Sequence, residues 1–329
     1  MTKYENGVIR YQIQYEKYKN GIANEIIRLL DSADGKIARY IRKTDGVYTK
    51  ARYQQIATKL REISRELKNS VEENIDVEGV IDYVLRREKK LMGLIPDITF
   101  VYPTTEQIIT SAIFRPAADI TYDSYLNGIE AGLFNTWDAE VRTGYLTGMS
   151  TKQIVNNVMG GLSPETRLKE AGKINKLKNS IYGNTRTLLQ SFAEETREEV
   201  YRKNEKYFGD GEYKYEWLST LDSRTCIVCG ELDNRLFKTI EDAQPIPRHR
   251  NCRCVLLPFF DIEGDRRASK NGYVDADTSF SAWLDDQDET TQKEVLGATR
   301  FKMYQEGVKI TQFVDNGRVL TLDELEDLL

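Results

Sequence analysis

At 329 residues, with 40% of side chains apolar, the chain is long enough for two or three domains and apolar enough to bury a sizeable core, which excludes disorder as its default state. Lys+Arg 47 against Asp+Glu 52 is only mildly acidic, so net charge gives no reason to expect a nucleic-acid or membrane-surface binder, and the acidity is concentrated at the end, where 16 acidic side chains face 8 basic ones from Asp261 onward. Met1 to Arg10 lacks the apolar core of a signal peptide and no stretch approaches the roughly 18 apolar residues of a membrane span, so the expectation is a soluble chain made in the cytosol, where thiols stay reduced.

Tyr11, Tyr15, Tyr18, Ile22, Ile26 and Leu29 recur at steps of three and four, which predicts a first helix with one buried stripe. Ile56, Leu60, Ile63, Leu67 and Val71 predict a second, and Asp45, Gly46 and Thr49 mark the turn of a helical hairpin between them. A third helix is expected over Val77 to Met92, ended by Gly93 or Pro96. Thr104 or Thr105 caps the next, through Ile108 and Ile109, and Ala117 to Gly148 reads as one or two more. Gly148-Met149-Ser150-Thr151 is a stop followed by a new cap, opening a helix with Ile154, Val155 and Val158 that ends at Gly160-Gly161. Glu165 to Asn204, rich in Lys, Glu, Arg and Leu, continues the helical texture.

After Gly209-Asp210-Gly211 the pattern changes. Tyr213 to Leu218 alternates aromatic and polar residues as a strand does, and Cys254 to Phe260 is a short strand-like apolar run. Asp261 to Asp277 reads as a linker, followed by helices near Ser281 to Leu284, Thr291 to Glu306 and Leu322 to Leu329.

All four cysteines and the single histidine fall between Cys226 and Cys254. Cys226-Ile227-Val228-Cys229 is a C-x2-C knuckle, whose turn lets two thiolates face one point, and His249-Arg250-Asn251-Cys252-Arg253-Cys254 supplies an imidazole and two further thiols. Zinc suits this set because it takes tetrahedral sulfur and nitrogen ligands, whereas hard cations such as magnesium do not. Five donors compete for four positions: Cys226 and Cys229, then two of His249, Cys252 and Cys254. A metal-free thiol core or disulfide, and a catalytic cysteine or catalytic zinc, are the competing uses. The expected site is closed and structural, since a catalytic zinc keeps an open position and needs a proton-transfer group, and no second histidine exists to supply one.

Asp222, Arg224 and Thr225 are expected to bond the turn or one another, and Arg250 and Arg253 to offset thiolate charge. Lys169, Lys173, Lys176 and Lys178 step along one stretch and read as a solvated face or a basic patch for DNA. The predicted fold class is a predominantly α N-terminal region, then a small α+β zinc-stapled module, then a short helical C-terminal tail. The expected divisions are an N-terminal helical hairpin over 1–95, a helical region over 96–208, the cysteine-rich module over 209–262, and a linker with an acidic helical tail over 263–329.

The string from Trp217 to Arg224-Thr225-Cys226 and Cys229, with Leu232-Asp233-Asn234, Phe237, Pro247, His249 and Asn251-Cys252-Arg253-Cys254, resembles the phage Mu protein F-like head morphogenesis family, the minor head proteins. The likeness runs back through Gly148-Met149-Ser150 and Gln153-Ile154-Val155, and the tail with Trp283-Leu284, Gln287, Gln292, Leu296-Gly297 and Gly307 is similar to segments that follow this domain in some members. The resemblance implies a non-enzymatic role in head assembly inside the capsid at the portal vertex, after synthesis in the host cytoplasm. It implies the portal protein as partner, with the major capsid or scaffolding protein and packaged double-stranded DNA as further contacts, and in some members ejection with the DNA. A zinc-dependent nuclease or toxin-like enzyme and a zinc-ribbon DNA-binding module are the alternative readings of the same cysteines.

Overall fold

The computed structural model describes residues 3–46, 49–160, 173–209, 211–260, 266–315 and 317–326. Seven helices come first: α1 (Lys3–Lys43), α2 (Lys50–Asn74), α3 (Val77–Met92), α4 (Thr105–Phe114), α5 (Tyr122–Leu146), α6 (Thr151–Val158) and α7 (Lys173–Asn204). Short elements follow: β1 (Tyr215–Leu218), α8 (Ile227–Glu231), β2 (Leu236–Phe237), β3 (Val255–Pro258), β4 (Arg266–Ser269), β5 (Gly272–Asp275), α9 (Phe280–Asp285), α10 (Glu289–Gln305), β6 (Val314–Asp315), β7 (Arg318–Val319) and α11 (Leu322–Glu326). Among the described residues the protein is mainly helical, with its sheets in the C-terminal part.

Local chemistry sets several boundaries. Thr49 caps α2 by accepting from the Arg52 amide, and Ser150 opens α6 in a reciprocal capping box with Gln153. The first helix differs from its expected stripe at three positions. Its buried residues run Tyr4, Val8, Tyr11, Tyr15, Lys19, Ala23, Ile26, Leu30, Ala33, Ile37 and Ile41, so positions 19, 23 and 30 carry the stripe where Tyr18, Ile22 and Leu29 were expected, Tyr18 is 37% exposed, and Ile22 and Leu29 are half-buried. A helix turns 3.6 residues per cycle, and over 41 residues that phase has to override a local run of aromatics.

The chain divides into two compact units, one of residues 17–80 and 113–189, the other of 1–16, 81–112 and 190–329. In the first unit α2 packs along α5, burying Ile56, Leu60, Ile63, Leu67 and Val71 from one helix and Leu126, Ile129, Leu133, Trp137 and Val141 from the other. Each such side chain contributes about 1.5–3 kcal/mol by leaving water. Gly144 lets α6 approach α5, because a Cβ there would lie 2.4 Å from Ile154. The buried Asp34 carboxylate accepts from Trp137 Nε1 at 2.9 Å and from Lys178 Nζ at 2.5 Å, and Lys178 also reaches Asp31 at 2.6 Å. Lys178 therefore turns inward and leaves the basic face expected of it; Lys173 lies 3.8 Å from Glu140, and Lys169 is outside the described residues.

The second unit carries a three-stranded antiparallel sheet in the order β2-β1-β3, with Tyr215 opposite Phe237 and Pro258. Tyr4, Phe208, Tyr215 and Phe260 form an aromatic cluster of T-shaped contacts, with ring centroids 5.6 to 6.1 Å apart. Next to it, Arg197 and Glu88 are fully buried and paired at 3.2 Å, with Glu194 as a second carboxylate partner of Arg197. Gln12 donates to Gln190 at 3.0 Å, and Gln190 donates to the Cys254 carbonyl at 3.2 Å, so these buried polar groups extend to the cysteine-rich strand. Such groups cost free energy unless bonded, and bonding fixes their neighbours.

Residues 266–326 pack on this unit. β4 and β5 pair as a hairpin inside the stretch read as linker, because Arg267 is wholly buried and its guanidinium clamps Asp233 at 2.7 and 2.9 Å. Phe280, Trp283, Leu284, Leu296, Met303, Ile310, Phe313 and Leu325 then share one apolar core with Leu221 and Ile227. α10 breaks at Gly297, whose φ of 74° suits a residue without a Cβ.

Candidate metal centre

Cys226 sits in extended backbone at the N-cap of α8 and Cys229 lies one turn inside it, so both sulfurs project to the same side. Gly230 allows Phe280 against this helix, since a Cβ there would come within 2.2 Å of the ring. On the facing loop the Cys252 amide donates to the His249 carbonyl at 3.1 Å, closing a turn through Asn251, whose φ of 62° is one that asparagine tolerates. That turn feeds directly into β3.

All five sequence-predicted donors meet here. His249 Nε2 is 3.1 Å from both Cys226 Sγ and Cys229 Sγ, and Cys229 Sγ is 3.9 Å from Cys252 Sγ. The donors form two groups, Cys226–Cys229–His249 and Cys229–Cys252–Cys254, each with its ligand atoms within 4.8 Å of one another, sharing Cys229. A tetrahedral ion with bonds of about 2.3 Å to sulfur and about 2.0 Å to nitrogen places its ligands about 3.5–3.8 Å apart. The observed spacings bracket that edge, and no disulfide joins the four thiols. A cavity of about 10 Å³, the space of a single small particle, borders the cluster.

The imidazole is set for ligation. His249 Nδ1 lies 2.8 Å from the Arg250 carbonyl, which only accepts, so Nδ1 carries the proton and Nε2 is left facing the sulfurs. Electrostatics divide the thiols, favouring the thiolate at Cys226 and Cys252 and the protonated form at Cys229 and Cys254. A hydrogen bond from Cys229 pulls the Cys226 thiol down to about 4 against the effect of burial, with His249 assisting. The bond to Cys226 in turn raises His249 to about 9, although burial opposes this. Both shifts favour the proton on the imidazole over the Cys226 sulfur, and a bound metal would take the place of that proton.

The surrounding polar residues serve the scaffold. Burial disfavours an ionised Asp222, but the Arg253 guanidinium, bonded to both carboxylate oxygens at 2.5 and 2.6 Å, outweighs it and holds the carboxyl below its usual range. Asp222 also accepts from the Arg224 amide at 2.9 Å, and Thr225 Oγ1 donates to the Thr220 carbonyl. Arg253 is therefore the partner of a carboxylate, where thiolate compensation was expected.

Three residues to which the sequence assigned no part in the metal centre complete the frame. Ser219 gives its amide to Asp233 at 2.7 Å and its hydroxyl to the Cys229 carbonyl at 2.6 Å. Asp233 takes the Phe280 amide at 2.7 Å as well as the Arg267 guanidinium. The Leu232-Asp233-Asn234 string was visible, but a lone aspartate in a turn carries no signal of burial, and Arg267 lies in a polar stretch with no periodicity.

No family model matches the chain, and neither a curated protein nor a solved structure is significantly similar to it.

Proposed function

We propose that Cys226, Cys229, His249 and the Cys252/Cys254 pair hold one zinc ion as a closed structural staple, and that the chain is a non-enzymatic assembly protein, a minor head protein of a tailed phage. The observation that carries the metal reading is the gathering of all four cysteines and the single histidine into two donor groups that share Cys229. Thiolates and imidazole favour zinc over hard cations.

The residues that carry the resemblance to minor head proteins support a non-catalytic role. Trp217, Ser219, Asp222, Asp233 and Arg253 are bonded within the module, and Asp222, the carboxylate beside the cluster, is engaged by Arg253. A hydrolytic zinc site needs a carboxylate or histidine free to move a proton. The head assignment itself rests on the motif string, and it makes the portal protein the expected partner, with capsid or scaffolding protein and packaged DNA as further contacts. No described helix is long and apolar enough to cross a membrane.

Metal analysis of the purified chain tests the first half: one zinc per chain is expected, lost in the C226S/C229S double variant, and a metal-free chain purified with zinc in the medium refutes it. Mass spectrometry of purified virions, with infectivity after deletion of the gene, tests the second. The expected result is a low-copy virion component whose loss abolishes infectious particles; its absence from virions, or normal assembly without it, refutes the head role. Cleavage of DNA or RNA by the purified chain would favour the nuclease alternative.

A further inference from the structure

The first unit carries opposite charge at its two ends. α2 and α5 run antiparallel, with Tyr53 bonded to Asp138 at 2.6 Å and Lys68 to Asn127 at 2.8 Å. One end of the pair gathers the close of α1, the opening of α2, the close of α5 and the opening of α6. There the Arg52 guanidinium lies 5.1 Å over the Tyr145 ring, and Thr151 Oγ1 donates to the Asp45 carboxylate. This end exposes Arg39, Arg42, Lys43, Lys50 and Lys152. None of the five forms an ion pair among the described residues. The other end exposes Glu72, Glu73, Asp76, Asp119 and Asp123. We propose that the cationic end docks on the phosphate backbone of double-stranded nucleic acid, without regard to base sequence. This deepens the DNA contact of the head assignment and rests on that assignment only for which DNA the chain meets.

Ordinary helix chemistry accounts for part of the charge. Arg42 and Lys43 stand in the last turn of α1, where cations complement the dipole. The same rule disfavours Lys50 and Lys152, which stand in the first turns of α2 and α6, at the positive ends of those helices. Neither first turn holds an acidic residue. The carboxylates nearby are already committed: Asp138 to Tyr53 and Arg142, Glu140 to Lys173, and Asp45 to the Gly46 amide and the Thr151 hydroxyl. Beneath them the Arg52 side chain, about nine-tenths buried, stands 3.9 Å from Asp45 and leaves Nε and Nη2 without a hydrogen bond. Positive helix ends and cations on one surface, with the local acids spent, favour an anion.

The surface also selects among anions. A single-stranded partner needs exposed rings on which bases stack. Here the Tyr53 ring lies under Arg142 and the Tyr145 ring under Arg52, and no aromatic side chain at this end is exposed among the described residues. A protein partner needs an apolar centre to its interface, and Leu146 is the one large apolar side chain exposed here among the described residues. Duplex backbone needs neither: it takes arginine forks and lysine charges along a rim, which position the protein and carry no sequence information. The surface is distinct from the stretch from Lys169 to Lys178, where Lys178 is drawn inward to Asp34.

The test is fluorescence anisotropy of the full chain with a labelled duplex of about 30 base pairs, titrated with salt from about 50 mM. Binding is expected to be equal for two unrelated sequences and to weaken steeply with salt. R39A/R42A and K50A/K152A are each expected to lose about tenfold in affinity and to flatten the slope of log affinity against log salt by about 1–2. R61A/R65A removes the same charge from the middle of α2 and is expected to stay within about twofold of wild type. No binding by the wild-type chain at the lowest salt, or equal losses in all three variants, overturns the proposal. Tighter binding to the single strand overturns the duplex assignment, and self-association abolished by R39A/R42A without DNA binding assigns the surface to a second copy instead. DNA binding by a chain absent from virions would remove the head role and leave this surface standing, whereas a virion component that binds no duplex would do the reverse.

Discussion

α2 and α5 bury rows of Ile, Leu, Val and Trp along 25 residues each, whereas β1, β2 and β3 supply four, two and four residues to their sheet. The helical unit closes its own backbone hydrogen bonds and gains stability from continuous apolar stripes. The cysteine-rich module has strands too short to be stable on their own, and it is held by pairs of charges, Arg267 with Asp233 and Arg253 with Asp222, and by donors positioned for an ion. The lesson is that a chain can distribute its sources of order. Where apolar periodicity runs out, specific polar bonds take over, and these are sensitive to single atoms.

The comparison is broken most severely by removing the proposed zinc. Chelation is expected to cost the module a large part of the roughly 10–16 kcal/mol that structural zinc supplies in small zinc domains. Hydrogen exchange should then show lost protection across 226–254 while α2 and α5 keep theirs; equal loss in both would show that the staple is not local. Next in size, Arg267→Ala leaves the Asp233 carboxylate buried without its partner and is expected to cost about 3–5 kcal/mol in urea unfolding of the second unit. Leu60→Ala, on the buried stripe of α2, is expected to cost about 2–5 kcal/mol in the helical unit, with metal content unchanged. A drop in bound zinc in that variant would contradict the division of labour.

The smallest effect is a titration. Burial, with Glu5 nearby, raises the Glu216 carboxyl from 4.5 to about 7. A raised carboxyl stabilises the fold fully below 4.5 and loses that contribution as pH rises through about 7. Glu216→Gln should therefore be more stable than wild type at pH 8 relative to pH 5, by about 2–3 kcal/mol. A stability difference independent of pH would show that Glu216 is solvated in the folded state.

Much of the helical part was legible because its signals are local. Val77 to Met92 coincides with α3, and Ser150 with Gln153 forms the expected cap. The knuckle and the His249 to Cys254 string were legible for another reason: soft donors are rare, and their spacing in one short stretch has few other uses. Tyr18 and Lys178 show the limit. Both fit a local pattern, yet long-helix phase exposes one and a buried carboxylate draws in the other. Arg267 shows it more sharply, since nothing beside it in sequence reveals that Asp233 lies across from it.

By itself the sequence determined the helical periods, their caps and the identity of the five candidate donors, because each of these depends on residues within a turn or two of one another. Tertiary structure alone decided that residues 266–326 pack on the cysteine-rich module, that Arg253 faces Asp222, and that Ser219 stands between Cys229 and Cys254. Those outcomes depend on which distant groups share a desolvated space, and a hydrogen bond across that space has no counterpart in local composition.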